Sequence, residues 1–245
     1  MDGGYTSFGK VRRDFASMSA SGINAVRTSA VPQRWFLDLA EAQGLLVLAG
    51  LPWGEHMSFL DRRGAARIVA DTRQAVRECA DHPALLGYDV GDEVPSAVVR
   101  WYGKTRVERF LGRLTRAVRR EDPGALVTHA HYPSTEYLHL PFLDFCCFNV
   151  FLEQPVEYEG QLLRLQEVAA GRPLVLTELG LETRDVRFPA QIVETKVRKA
   201  LSRHTAGAFV FARFEWERVA EQIGAWDLDE QDAIRDYEPA WAATA

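Results

Sequence analysis

The sequence predicts an α/β fold of the TIM (β/α)8 barrel type, with the first strand missing or irregular at the N-terminus. Three observations lead there. Seven short, near-continuously apolar runs recur along the chain, as expected of parallel strands covered by helices on both faces. Longer amphipathic stretches separate them, the pattern of repeated strand–helix crossovers. No glycine-rich phosphate loop follows the first run, although a doubly wound dinucleotide fold needs one there. The early Gly3-Gly4 pair follows no strand.

The expected strands are 23–28 (INAVRT), 45–51 (LLVLAGL), 85–90 (LLGYDV), 126–131 (LVTHAH), 145–151 (FCCFNVF), 173–178 (PLVLTE) and 208–211 (AFVF). Their β-branched content and flanking Gly and Pro favour strands over buried helix pieces. Between them, Val11, Phe15 and Met18 keep a helical spacing that stops at Gly22, and 35–42 stops in the same way at Gly44. Helical patterns over 65–79, 107–118, 162–169 and 192–201 repeat the theme. No repeat, low-complexity stretch or Ser/Gly-rich linker divides the chain, so residues 1–245 read as one domain. Seven strands are one short of a closed barrel, and two open strand edges call for a cover, either a second copy of the chain or a partner.

Composition narrows the function. The 245 residues are 47% hydrophobic, 26% charged and 11% aromatic, too apolar for a disordered chain. Lys and Arg number 29 against 34 Asp and Glu, a net charge of −5 with the bases scattered. Such a balance argues against nucleic acid as a partner. No run approaches the about 18 apolar residues of a membrane span, and no secretory signal is visible, so a cytoplasmic protein is expected. The three cysteines, two of them adjacent (Cys146, Cys147), suit neither a disulfide framework nor a metal-ligand spacing and read as core filling. No metal or cofactor is expected: the chain has no helical His-x-x-x-His or Glu-x-x-His set, and no Gly-x-Ser-x-Gly elbow.

In barrels of this type chemistry sits at the C-terminal ends of the strands. Glu93 follows LLGYDVGD, and Glu178 closes PLVLTE. The topology brings both to one mouth, where a close carboxylate pair serves retaining glycoside hydrolysis. Taken singly, a strand-end Glu also serves to cap the next helix or to pair with an Arg. The segment 52–56 after the third run offers Trp53 as a wall and Glu55 with His56 as a proton-active pair, or simply a helix N-terminal turn. His129 and His131 alternate along their strand and are expected on opposite sides, with His131, nearer the strand end, facing the pocket; a buried structural histidine is the competing reading. Asn149 is expected to point inward and orient a ligand, with Phe151 on the same face. Trp101 and Tyr102 are candidates for stacking on sugar faces or for loop packing. Glu153 and Glu215 read as solvated or Arg-paired acids.

Five segments together carry a family resemblance: GINAVRTS, DHPALLGYDVGDE, DFCCFNVF, RPLVLTELG and GAFVFARFEWE. In this order they resemble clan A glycoside hydrolases, most of all family-2-like barrel domains, including those fused to bacterial family-2 glycosyltransferases. The resemblance runs from about Val11 to Ala240 and implies a (β/α)8 barrel whose first strand lies before Met1. It implies Glu93 at the end of the family's fourth strand as acid/base and Glu178 at the end of its seventh as nucleophile. Arg27, ending the second, matches the arginine that supports the nucleophile. Three positions depart from the family. Asp92 replaces the Asn whose amide donates to the sugar 2-hydroxyl, and an ionised Asp accepts only. Phe151 stands where a Tyr is usual. Arg213 or Phe214 replaces a strand-eight Trp, with Trp216 slightly displaced. The resemblance implies a carbohydrate or glycosylated small molecule as ligand. The first expectation is a retaining β-glycosidase or transglycosidase. The changed pocket also admits a glycosidase fold turned to other acid/base chemistry on a small metabolite, or a non-catalytic sugar-binding domain.

Overall fold

The computed structural model describes residues 8–51, 62–91, 93–152, 154–179 and 190–210. Its elements alternate from the start: α1 (Phe8–Ala20), β1 (Ala25–Thr28), α2 (Arg34–Ala42), β2 (Leu46–Leu51), α3 (Arg62–Cys79) and β3 (Leu85–Val90). There follow α4 (Ser96–Tyr102), α5 (Lys104–Glu121), β4 (Val127–Thr128), β5 (Ala130–His131) and β6 (Cys146–Val150). The last are α6 (Pro155–Ala169), β7 (Leu174–Leu179), α7 (Ala190–Ser202) and β8 (Gly207–Val210). Gly22 and Gly44 stop α1 and α2 as expected, both at positive φ (78° and 68°). After α2 the chain turns back, with the Leu45 N–H donating to the Ala40 carbonyl at 2.9 Å.

Among the described residues all strand pairings are parallel, in two four-stranded sheets ordered β1-β2-β3-β4 and β5-β6-β7-β8. The run 126–131, expected as one strand, is cut at His129 into β4 and β5. The seam is stitched from β3. Asp89 Oδ1 accepts from the Ala130 N–H at 3.0 Å, and the Glu93 N–H donates to the Ala130 carbonyl at 3.1 Å. His129 Nδ1 bonds the Val90 carbonyl at 2.9 Å. At the far side, Cα atoms of β1 and β8 approach within 8 Å, but no ladder joins them among the described residues. What is described is a parallel α/β fold; an eight-stranded closed barrel is not.

Helices cover the sheets in two blocks. One apolar cluster takes residues from α1 through α5 together with β2 and β3, and a second joins α6 to β6 and β7. A smaller cluster draws Leu48 from β2, Ala130 from β5 and Cys147 from β6, with Val175 and Phe209 packed on it. Because its members come from both sheets, the two sheets share one interior. Cys146 and Cys147 are buried core residues, as expected. Two glycines let strands approach their neighbours. A Cβ on Gly50 would stand 2.4 Å from the Thr28 carbonyl oxygen, and one on Gly87 2.5 Å from that of Leu126.

Two helices differ from expectation. The short α4 went unforeseen, since its single exposed Trp101 and scattered valines show no two-turn stripe. α6 begins at Pro155, well before the expected 162, because exposed Val156 and Gly160 dilute its first-turn pattern. Among the described residues no helix is long and apolar enough to cross a membrane.

Candidate active site

Arg27 sits in the middle of β1, beside Leu48 of β2. On β3, Asp89 lies in register with Gly50, so no side chain of β2 stands at that position. The Arg27 guanidinium spans the space with both edges used. Its Nη2 donates to Asp89 Oδ2 at 2.9 Å and its Nε to the same oxygen at 3.3 Å, while Nη1 donates to Glu178 Oε1 at 2.8 Å. Asp89 is 0% exposed, and its other oxygen takes the Ala130 N–H. One cation is thus shared by carboxylates from the middle of one sheet and the end of a strand in the other.

Glu178 carries the electrostatic consequence. Burial pushes its carboxyl above the ordinary 4.5, Arg27 pulls it back, and the nearby charges of Glu93 and Asp89 add a further upward push. The sum is upward. Asn149, the register partner of Glu178, bonds Glu93, so the two carboxylates lie on either side of one amide although they are far apart in the chain.

Glu93 is held by β6. Asn149 Nδ2 donates to Glu93 Oε1 at 2.6 Å, and Thr177 Oγ1 donates to Asn149 Oδ1 at 2.8 Å. A register irregularity between β6 and β7 falls beside this chain of bonds. Phe148 pairs with Leu176 but Asn149 pairs with Glu178, so Thr177 is the extra residue of a bulge. Bulges re-aim side chains, and here two consecutive residues of β7 serve the same partner strand. Glu93 itself sits at φ 45°, in the left-handed region. For a residue with a Cβ that conformation is strained, and such strain collects at functional sites.

The candidate residues separate accordingly. Arg27, Glu93, Asn149 and Glu178 come together. Asn149 does point inward, and its described partners are Glu93 and Thr177. Phe151 follows β6 directly and is half-buried. His131 does not join them. Its ring stacks on Phe148 with centroids 4.8 Å apart, and Phe148 belongs to the cluster under α6, on the other face of the sheet from Asn149. There it lines a cavity of about 230 Å³ with Glu136, Leu140 and Arg172. Nor do the two histidines face opposite sides: their rings meet edge-on at 4.9 Å, because residues two apart along extended chain share a face. Trp101 is 81% exposed, whereas Tyr102 packs against the core. Trp53, Glu55, His56, Asp92, Glu153, Arg213, Phe214, Glu215 and Trp216 lie outside the described residues.

Two residues of the cluster escaped the sequence reading. Asp89 had a signal, an acid inside the otherwise apolar run LLGYDV, which a covered strand tolerates only with a partner. Thr177 had none, since a bulge leaves no mark in an apolar strand. Among the described residues no group of acids, histidines and cysteines is arranged to hold a metal ion.

No family model and no curated protein matches the chain. Solved structures do. A β-glucuronidase from Ruminococcus gnavus superposes with a TM-score of 0.66 at 16% identity, over 84% of this chain and 40% of that one. A GH2 β-galacturonidase from Eisenbergiella tayi bound to galacturonate gives 0.70 at 18% identity, over 84% and 40%. Bacteroides uniformis β-glucuronidase 2, covalently bound to cyclophellitol-6-carboxylate aziridine, gives 0.68 at 19% identity, over 84% and 28%. The chain therefore shares the fold of the parts of these structures that it matches. It spans 40% or less of the length of these neighbours, and its likeness to them is one of fold.

Proposed function

We propose that the chain is a retaining β-glycoside hydrolase or transglycosidase on a (β/α)8-type barrel, acting on a carbohydrate or glycosylated small molecule. The observation that carries this reading is the convergence of Glu93 and Glu178, from the ends of β3 and β7, with Arg27 bonded to one and Asn149 to the other. Glu178 attacks the anomeric carbon while Glu93 gives its proton to the leaving oxygen, and the C–O electron pair departs with that oxygen. Glu93, now a carboxylate, takes a proton from water or an acceptor hydroxyl, which displaces Glu178 and restores both groups. Arg27 holds Glu178 in position for attack, its cationic edge opposing the cost of keeping a buried carboxylate ionised.

The neighbours' names put β-glucuronides and β-galacturonides first in a panel of 4-nitrophenyl β-glycosides. On the substrate turned over, Glu178→Gly is expected to lose activity by about 10,000-fold. Added azide then restores turnover by attacking the open face, giving the α-glycosyl azide. Full activity of the folded variant without azide removes Glu178 from the mechanism. Turnover of no aryl glycoside by the wild-type protein favours other acid/base chemistry or sugar binding alone.

A further inference from the structure

We infer that Asn149, oriented by Thr177, fixes which oxygen of Glu93 carries the transferable proton and so aims the acid at the glycosidic oxygen. The inference deepens the acid/base reading of Glu93 and rests on it. Asn149 has a donor end and an acceptor end, and an ionised carboxylate only accepts. With Oε1 of Glu93 at 2.6 Å the amide must turn its NH2 toward Glu93. Its oxygen then needs a donor, and the Thr177 hydroxyl supplies one at 2.8 Å in a buried position. The hydroxyl hydrogen is thereby committed, and while Glu93 is ionised the amide cannot flip without turning its oxygen on the carboxylate.

Glu93 in its acid form has one carbonyl-type oxygen and one hydroxyl oxygen. The N–H of Asn149 engages Oε1, and the carbonyl-type oxygen is the better acceptor, so the proton resides on Oε2. In the first step the Oε2 proton passes to the leaving oxygen as the glycosidic bond breaks, and Glu93 is left as a carboxylate with Asn149 still donating to it. In the second step Oε2 takes the proton back from water. Without the amide, the proton occupies either oxygen and the carboxyl rotates out of line. Asn149 and Thr177 are therefore positioning residues, acting through Glu93. The β7 bulge adds the nucleophile to this arrangement: Thr177 still bonds Asn149, while Glu178, the next residue, takes the register place beside it.

The test compares kcat/KM on two β-glycosides of the sugar the protein accepts. The 2,4-dinitrophenyl glycoside departs without acid assistance, and the methyl glycoside requires it. Asn149→Ala is expected to lower the methyl-to-dinitrophenyl ratio by about tenfold or more, within the contribution of a general acid. Thr177→Val is expected to lower it less, and Thr177→Ser to return it close to wild type. The double variant Asn149→Ala/Thr177→Val is expected to match Asn149→Ala, since Thr177 acts only through the amide. A structural defect depresses both substrates alike and leaves the ratio unmoved. Glu93→Ala separates the two levels of argument. If its ratio collapses while those of Asn149→Ala and Thr177→Val stay at wild type, the positioning role is wrong and the acid/base reading stands. If the Glu93→Ala ratio is itself unchanged, both fall.

Discussion

Arg27 is the residue on which the charges of the site balance. Its side chain is 10% exposed, facing Asp89 at 0% and Glu178 at 11%. Removing it leaves two buried carboxylates without their cation, and breaking a buried pair in this way costs about 3–5 kcal/mol. Arg27→Met is accordingly expected to lose about that much stability in urea unfolding at neutral pH. The sign of its pH dependence follows from Glu178. The carboxyl is already raised above 4.5 in the fold, and loss of Arg27 raises it further. A raised acid disfavours the fold as pH climbs through its folded pKa, so the gap between variant and wild type narrows on acidification. In the wild type, a nucleophile that must be ionised fails as pH falls through that raised value, which puts the acid limb of kcat/KM above pH 4.5. Glu93 and Glu178 stood out because each closes or follows an apolar strand, where a charge needs a reason, and Arg27 only through the family resemblance. Thr177 was not, because its part depends on an extra residue in a ladder.

At the scale of elements, the loop after β3 holds Glu93 at φ 45°. Glycine alone adopts that region without penalty. Comparing two variants that both lack the carboxylate isolates the backbone. Glu93→Gly is expected to be about 1 kcal/mol more stable than Glu93→Ala, the reverse of the usual order. Thermal midpoints of the two check this, and a more stable alanine variant refutes strain at this position. The strands were the most readable elements, since apolar runs of β-branched residues announce a covered sheet whatever its curvature. The cut at His129 was hidden for a physical reason. The seam is made by a side chain, Asp89, taking a backbone N–H that a ladder carbonyl would otherwise take, and no periodicity encodes that substitution. It also explains the misplaced histidines: once the run is seen as β4 and β5 with His131 beside Phe148, both rings belong to the face under the helices.

For the whole molecule, those two rings set how it meets acid. Burial lowers the pKa of both His129 and His131, with partial compensation at His129 from Asp89. A group whose folded pKa is depressed contributes its full stability above the unfolded value, here 6.5, and loses it as pH falls through the folded one. Below pH 6.5 each histidine is expected to remove stability as the pH falls. His131→Phe, which keeps the stack on Phe148, is expected to flatten that slope. Equal slopes for wild type and variant in urea titrations between pH 7 and pH 5.5 count against it. The global architecture was readable from strand count and helix alternation; whether the strands form one closed wall was not, because closure depends on edges and seams rather than on periodicity. β7 has a final significance in this respect. It bears Glu178 in its own backbone and, through the neighbouring hydroxyl, steers the amide that grips Glu93. A slide of that one strand against β6 disturbs the attacking group and the proton donor together, so both halves of the chemistry turn on a single shaft.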